Sequence, residues 1–177
     1  MTGEEGKSPT LADMDPRLHQ FLDVWRAARG NAVLPLRKAF DPTSVPTLLS
    51  NIYIYRFHAD VGDYICELAG EQVNDAYGRV VKGETLLQIV GPSDHPVIMQ
   101  RWANILGIPC IHYGTANETL SNTRMRQAER LLLPFVSVAG GVADTIIGVG
   151  LYSSRRKFPD QPPLMPSDIV QIPCSEI

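Results

Sequence analysis

Residues 52–58 read IYIYRFH, and residues 64–69 read YICELA. Both runs are rich in β-branched and aromatic side chains, and Ala59 to Asp63 supplies a turn between them, so the spacing predicts a β-hairpin from Asn51 to Ala69. Side chains alternate along a strand, which puts Tyr64, Cys66 and Leu68 on one face and Ile65 and Glu67 on the other.

On the N-terminal side, Asp15-Pro16 is a helix start, with an acceptor at the N-cap and proline in the first turn. Leu18, Phe21, Leu22 and Trp25 then recur at helical spacing, and Gly30 supplies the stop. Pro35, Pro42 and Pro46 punctuate the segment up to the hairpin, leaving room for one short helical turn from Thr43 to Ser50. After the hairpin, Gly78 and Gly83 break residues 71–87 into two short helices. Ser93 caps a longer one, whose apolar stripe is Ile98, Trp102, Ile105 and Leu106, closed by Gly107. Three strands follow, Cys110–Thr119, Arg126–Val136 and Val142–Tyr152, the last two joined at Gly140-Gly141. Because strands and helices do not alternate regularly, the class is α+β. The expected architecture is a five-stranded antiparallel sheet with helices packed across one face, plus an N-terminal amphipathic helix. A ligand would sit between helices and sheet.

With 177 residues, 44% hydrophobic and 20% charged, the chain has the makings of one globular domain. Its boundaries are read as a flexible lead-in over 1–14, a folded body over 15–155, and a proline-rich tail over 156–177 with Pro159, Pro162, Pro163, Pro166 and Pro173. A net charge of -3 gives no global pull toward nucleic acid or anionic lipid, so neither is expected as a partner. The polar N-terminus lacks a secretory h-region and no apolar run is long enough to span a bilayer, so a cytoplasmic location is expected. Cys66, Cys110 and Cys174 are odd in number and widely spaced, as reduced thiols are.

The order of elements resembles the PAS fold. The resemblance sharpens at Trp25 with Arg29-Gly30, Leu34-Pro35-x-Arg37, Phe40-Asp41-Pro42 and Leu48-Leu49-x-Asn51. It continues through Tyr64, Leu68-Ala69-Gly70, Tyr77-Gly78-Arg79, Gly83 and the run Glu129-Arg130-Leu131-Leu132-Leu133-Pro134-Phe135. Over residues 18–150 the chain is similar to the single-domain PAS proteins of alphaproteobacteria. This resemblance implies a sensory or regulatory signalling module, frequently dimeric, that binds a small molecule or a protein partner. Little chain follows the last expected strand, so output is expected to run through a partner protein or a homodimer.

No Walker loop, G-x-S-x-G elbow or H-E-x-x-H helix occurs, and no catalytic residue is assigned. The flavin-binding branch of PAS domains depends on an Asn-Cys-Arg-Phe run that is missing here, so flavin is not expected. Cys110 and His112, two apart on a strand, share a side and could reach a metal or haem iron, but such pairs more often pack or hydrogen-bond, and neither cofactor is expected. Candidate ligand-lining residues are Tyr77, Trp102, Leu106, His112, Phe135 and Ile147, each of which could equally fill the core. Phe21 and Trp25 are candidates for a partner or dimer surface, the alternative being that their helix folds back on its own sheet. Glu129 and Arg130 are expected to make surface cross-strand contacts, Arg155, Arg156 and Lys157 to form a solvated basic end, and His19, His58 and His95 to be solvated. Two rival readings remain. One is a cone-shaped α+β isomerase or dehydratase with His112 or Asp144 as general base; the other is an interaction module with a filled core and no ligand.

Overall fold

The computed structural model describes residues 10–121, 124–153 and 169–177. Residues 1–9, 122–123 and 154–168 lie outside them. With these go most of the expected lead-in, the basic run Arg155-Arg156-Lys157 and four of the tail prolines.

Helix α1 spans Pro16–Arg29, strand β1 Ile52–His58, β2 Asp63–Ala69, helix α2 Glu71–Tyr77 and helix α3 Leu86–Gly107. Strands β3 (Cys110–Ser121), β4 (Arg124–Val136), β5 (Ala143–Ser153) and β6 (Ile169–Pro173) follow. All pairings are antiparallel, in the order β2-β1-β5-β4-β3-β6. The expected hairpin forms, with Phe57 opposite Tyr64 and His58 opposite Asp63.

The sheet has six strands rather than five, and the sixth comes from the tail. Ile169 to Ile172 carries a strand-forming run, and Pro173 closes it at an edge, where a missing N–H costs the sheet little. The folded structure therefore extends beyond residue 155.

Both faces of the sheet are covered, not one. On the first face, Ile52, Ile54, Leu131, Leu133, Phe135, Ile147 and Val149 pack with Leu18, Phe21, Leu22 and Trp25 of α1. Asp15 caps this helix by accepting from Arg17 N at 2.9 Å. Phe40 then bridges helix and sheet edge-on, 5.4 Å from Phe21 and 5.3 Å from Phe135 between ring centroids. The Trp25 indole donates to the Pro134 carbonyl at 3.1 Å. Phe21 and Trp25, candidates for a partner surface, are each 0% exposed against the protein's own sheet. An amphipathic stripe identifies a buried face without naming what buries it, and here the cover is intramolecular.

On the second face, Tyr53, Tyr55, Tyr64, Cys66, Leu132 and Ile146 pack with Val73 of α2 and with Leu86, Ile89, Trp102 and Ile105 of α3. Helix α3 starts earlier than Ser93, at a capping box in which Thr85 and Gln88 exchange side-chain and backbone hydrogen bonds. It is interrupted at Gly91, whose φ of 80° lies in the left-handed region, and resumes at Pro92. Asp63 ties the two parts together, accepting from Leu87 N at 3.1 Å and contacting His95 Nε2 at 3.1 Å. His95 is thus engaged at the hairpin rather than solvated.

Trp25 tests the intramolecular cover of the first face. Trp25→Ala is expected to cost about 3–5 kcal/mol in urea unfolding, and Trp25→Phe less, mainly the donor to Pro134. Equal, small losses from both would show that α1 is not part of the cooperative core.

Candidate functional site

The residues proposed to line a single cavity divide between the two faces. Strand register decides the division. His112 stands opposite Leu132 and Gly148, whereas Leu133 stands opposite Ile147, so the even-numbered residues of this row face α3 and the odd ones face α1. Phe135 and Ile147 belong to the α1-side core, with 0% exposure. Trp102 belongs to the α3-side core, with Tyr77 and Leu106 packed against it. His112 faces the same side, alternating with Ile111 and Tyr113. The site to consider is therefore the chamber between α2, α3 and the sheet.

Aromatic rings fill this chamber. Trp102 stands edge-on to Tyr55 and Tyr64, with centroids 4.8 Å and 5.1 Å away, and Tyr53 lies 5.9 Å from Tyr55. The Tyr53 ring covers Gly148 so closely that a Cβ there would come within 2.3 Å of it. The Tyr55 hydroxyl hydrogen-bonds to the Cys66 thiol, and the thiol donates in turn to the Leu68 carbonyl at 3.3 Å. Burial pushes the Cys66 thiol up to about 11 and raises Tyr55 as well, so both stay protonated at neutral pH. Sequence reading missed Tyr53, Tyr55 and Cys66 as chamber residues, although their alternation in the hairpin was visible.

Polar groups enter the chamber at one side. His112 is 4% exposed, and its Nδ1 lies 3.1 Å from Gln171 Nε2 of β6. Burial holds its imidazole down at about 3, helped by the nearby Arg101 and Arg130 cations, so it is neutral near pH 7. Cys110, two residues away, is also buried, and burial raises its thiol. Among the described residues, no group of three or more His, Cys, Asp and Glu is placed to hold a metal ion.

The rival general bases do not converge. Asp144 lies four residues before Gly148, the residue in the His112 row, along β5, and is held by Ser137 N at 3.0 Å and Arg56 Nε at 3.1 Å. The reading of an isomerase or dehydratase with His112 or Asp144 as general base calls for the two to converge in one pocket, and they do not. Glu129, expected at the surface, is 7% exposed; its Oε1 accepts from Asp15 N at 2.8 Å and from the Tyr113 hydroxyl at 3.0 Å. It anchors the start of α1. Elsewhere, an open groove of about 310 Å³ is lined by Arg17, Thr47, Ser50, Asn51, Gln72, Leu151 and Tyr152, none of them a sequence candidate. Its guanidinium is already paired with Asp15 at 2.9 Å.

A family model described as PAS domain matches residues 14–151, which spans α1, the hairpin, the covering helices and β3 to β5. The chain belongs to the PAS domain family. Among solved structures, this PAS domain is similar to a Rhodobacter sphaeroides LOV protein, at 12% identity and TM-score 0.46, covering 81% of this chain and 71% of that one. A point variant of RsLOV gives the same identity and TM-score, with 81% and 72% coverage. No curated protein matches. Among the described residues no helix is long and apolar enough to cross a membrane.

Two expectations follow from the chamber. Because the folded state refuses a proton that the unfolded His112 accepts near 6.5, this group leaves stability unchanged above that pH and lowers it as pH falls toward 3. Urea midpoints at pH 7.5 and pH 5 should show the wild type losing about 2 kcal/mol more than His112→Gln, and equal losses would mean that the folded imidazole titrates normally. Gly148→Ala forces the Tyr53 ring aside and should cost about 1–3 kcal/mol. An unchanged melting temperature would mean that the ring moves freely.

Proposed function

We propose that this PAS domain is a sensory and regulatory module whose α2/α3 chamber takes a small, largely apolar, planar ligand. The observation that carries this reading is the aromatic lining on the α3 side of the sheet: Trp102 stands edge-on to Tyr55 and Tyr64, and the Tyr53 ring lies over the bare backbone of Gly148. A ligand ring would take the place of the Tyr53 ring over Gly148, within the cluster that holds Tyr55, Trp102 and Ile146. Such a ligand would gain stacking on aromatic edges, and neutral His112 at the margin could meet a single polar group on it. The expectation against flavin rests on the missing Asn-Cys-Arg-Phe run. The domain performs no catalysis of its own and signals through a protein partner or a second copy.

Thermal-shift and native mass spectrometry with phenol, indole and flavin mononucleotide test the reading. Phenol or indole should raise the melting temperature of the wild type, and Trp102→Ala should lose that response. A protein that stays empty and unresponsive to all three is an interaction module with a filled core. A response to flavin mononucleotide alone would overturn the expectation against flavin.

A further inference from the structure

One row of residues crosses the α3 side of the sheet. Tyr53 of β1 stands opposite Gly148 of β5, Gly148 opposite Leu132 of β4, Leu132 opposite His112 of β3, and His112 opposite Gln171 of β6. At one end an aromatic ring lies over a bare glycine; toward the other stands an imidazole that is 4% exposed. The hydrogen bond to Gln171 settles what this imidazole offers. Gln171 Nε2 is an amide nitrogen with hydrogens to give and no lone pair to share, so His112 Nδ1 accepts at 3.1 Å. A neutral ring that accepts at Nδ1 carries its proton on Nε2. Among the described residues this is the one hydrogen bond that His112 makes, so Nε2–H, turned away from β6, is a buried donor left to a ligand. A buried donor without an acceptor is unfavourable, and an acceptor brought by a ligand relieves it.

The surroundings select the charge of that acceptor, and the row selects its distance from the ring. Arg101, next to Trp102 on α3, and Arg130, diagonal to His112 on β4, both bring positive charge to the imidazole. The same field repels an ammonium group and attracts a carboxylate. Gly148 and His112 are two strand spacings apart, roughly 9.6 Å, with Leu132 between them. A ring centred over Gly148, a two-carbon arm, a carboxylate and a hydrogen bond of about 2.9 Å together cover that span.

We propose, building on the planar-ligand reading of the chamber, that its ligand is an aromatic monocarboxylate, with the ring over Gly148 and the carboxylate, on a short arm, against His112 Nε2–H. Trp102, Tyr55 and Ile146 meet the ring, and His112 meets the acid. A carboxylate suits this place better than a neutral acceptor, because a hydrogen bond to an ionised oxygen is the stronger one and the nearby guanidinium charges favour it.

Calorimetric titration of the full chain at pH 7.5 with 3-phenylpropionate, 3-phenylpropanol and 3-phenylpropylamine provides the test, since the three compounds share ring and arm and differ in the polar group. The acid should bind at least about tenfold more tightly than the alcohol, and the amine more weakly than both. In His112→Leu the acid's lead over the alcohol should shrink to about twofold or less. Equal affinities for acid and alcohol, an amine that matches the acid, or a lead that survives His112→Leu would each overturn the proposal. The wild-type ranking decides by itself if that variant does not fold. Phenol or indole binding without any preference for the acid would sink the carboxylate assignment and leave the planar-ligand reading standing. Silence toward every one of these compounds would sink both.

Discussion

Strand β5 is buried on both faces from Thr145 to Leu151, and the rest of the domain is arranged around that constraint. Its backbone groups are satisfied by β1 on one side and β4 on the other, and its side chains alternate between two separate cores. Ile147, Val149 and Leu151 need α1, while Ile146 and the glycine at 148 need α2, α3 and the hairpin tyrosines. A one-residue slip would exchange these sets and leave both covers mismatched. The register of one strand therefore fixes which residues meet the chamber and which meet α1.

Much of this was legible in the sequence because it depends on local periodicity. The hairpin, α1 and the three long strands follow from alternation, helical spacing and turn residues, and each forms within a few residues of its expected bounds. Register is different, since it is a relation between distant segments. Trp102 and Phe135 are both apolar and both buried, yet nothing in either neighbourhood says that they lie on opposite sides of the sheet. The start of α3 was concealed by Gly91-Pro92, although Thr85 and Gln88 held a capping signal. In the tail, a high proline content outweighed the short run Ile169 to Ile172.

Polar burial was the least legible feature. Glu129 faces the α1 side of its strand and would be a surface charge if α1 were elsewhere, but the helix start lands on it and supplies the Asp15 N–H as a partner. His112 likewise becomes a buried neutral base only once α3 and β6 close around it. In both cases the environment is made by segments far away in the chain. The same distance effect governs Asp63, which reads as a turn residue and acts as the clasp between the hairpin and both parts of α3.

The two margins of the sheet are unequal. The outer side of β2 is occupied by its own chain, where Cys66 N donates to Glu84 O at 2.9 Å and Gly83 N to Cys66 O at 2.7 Å. The opposite margin ends at β6. A particle with a single adhesive side has a valence of one, and strand-to-strand growth from such particles stops at two members instead of propagating into a fibre. The short loop over β2 thus acts as a chain terminator, leaving strand-to-strand growth at most one open margin.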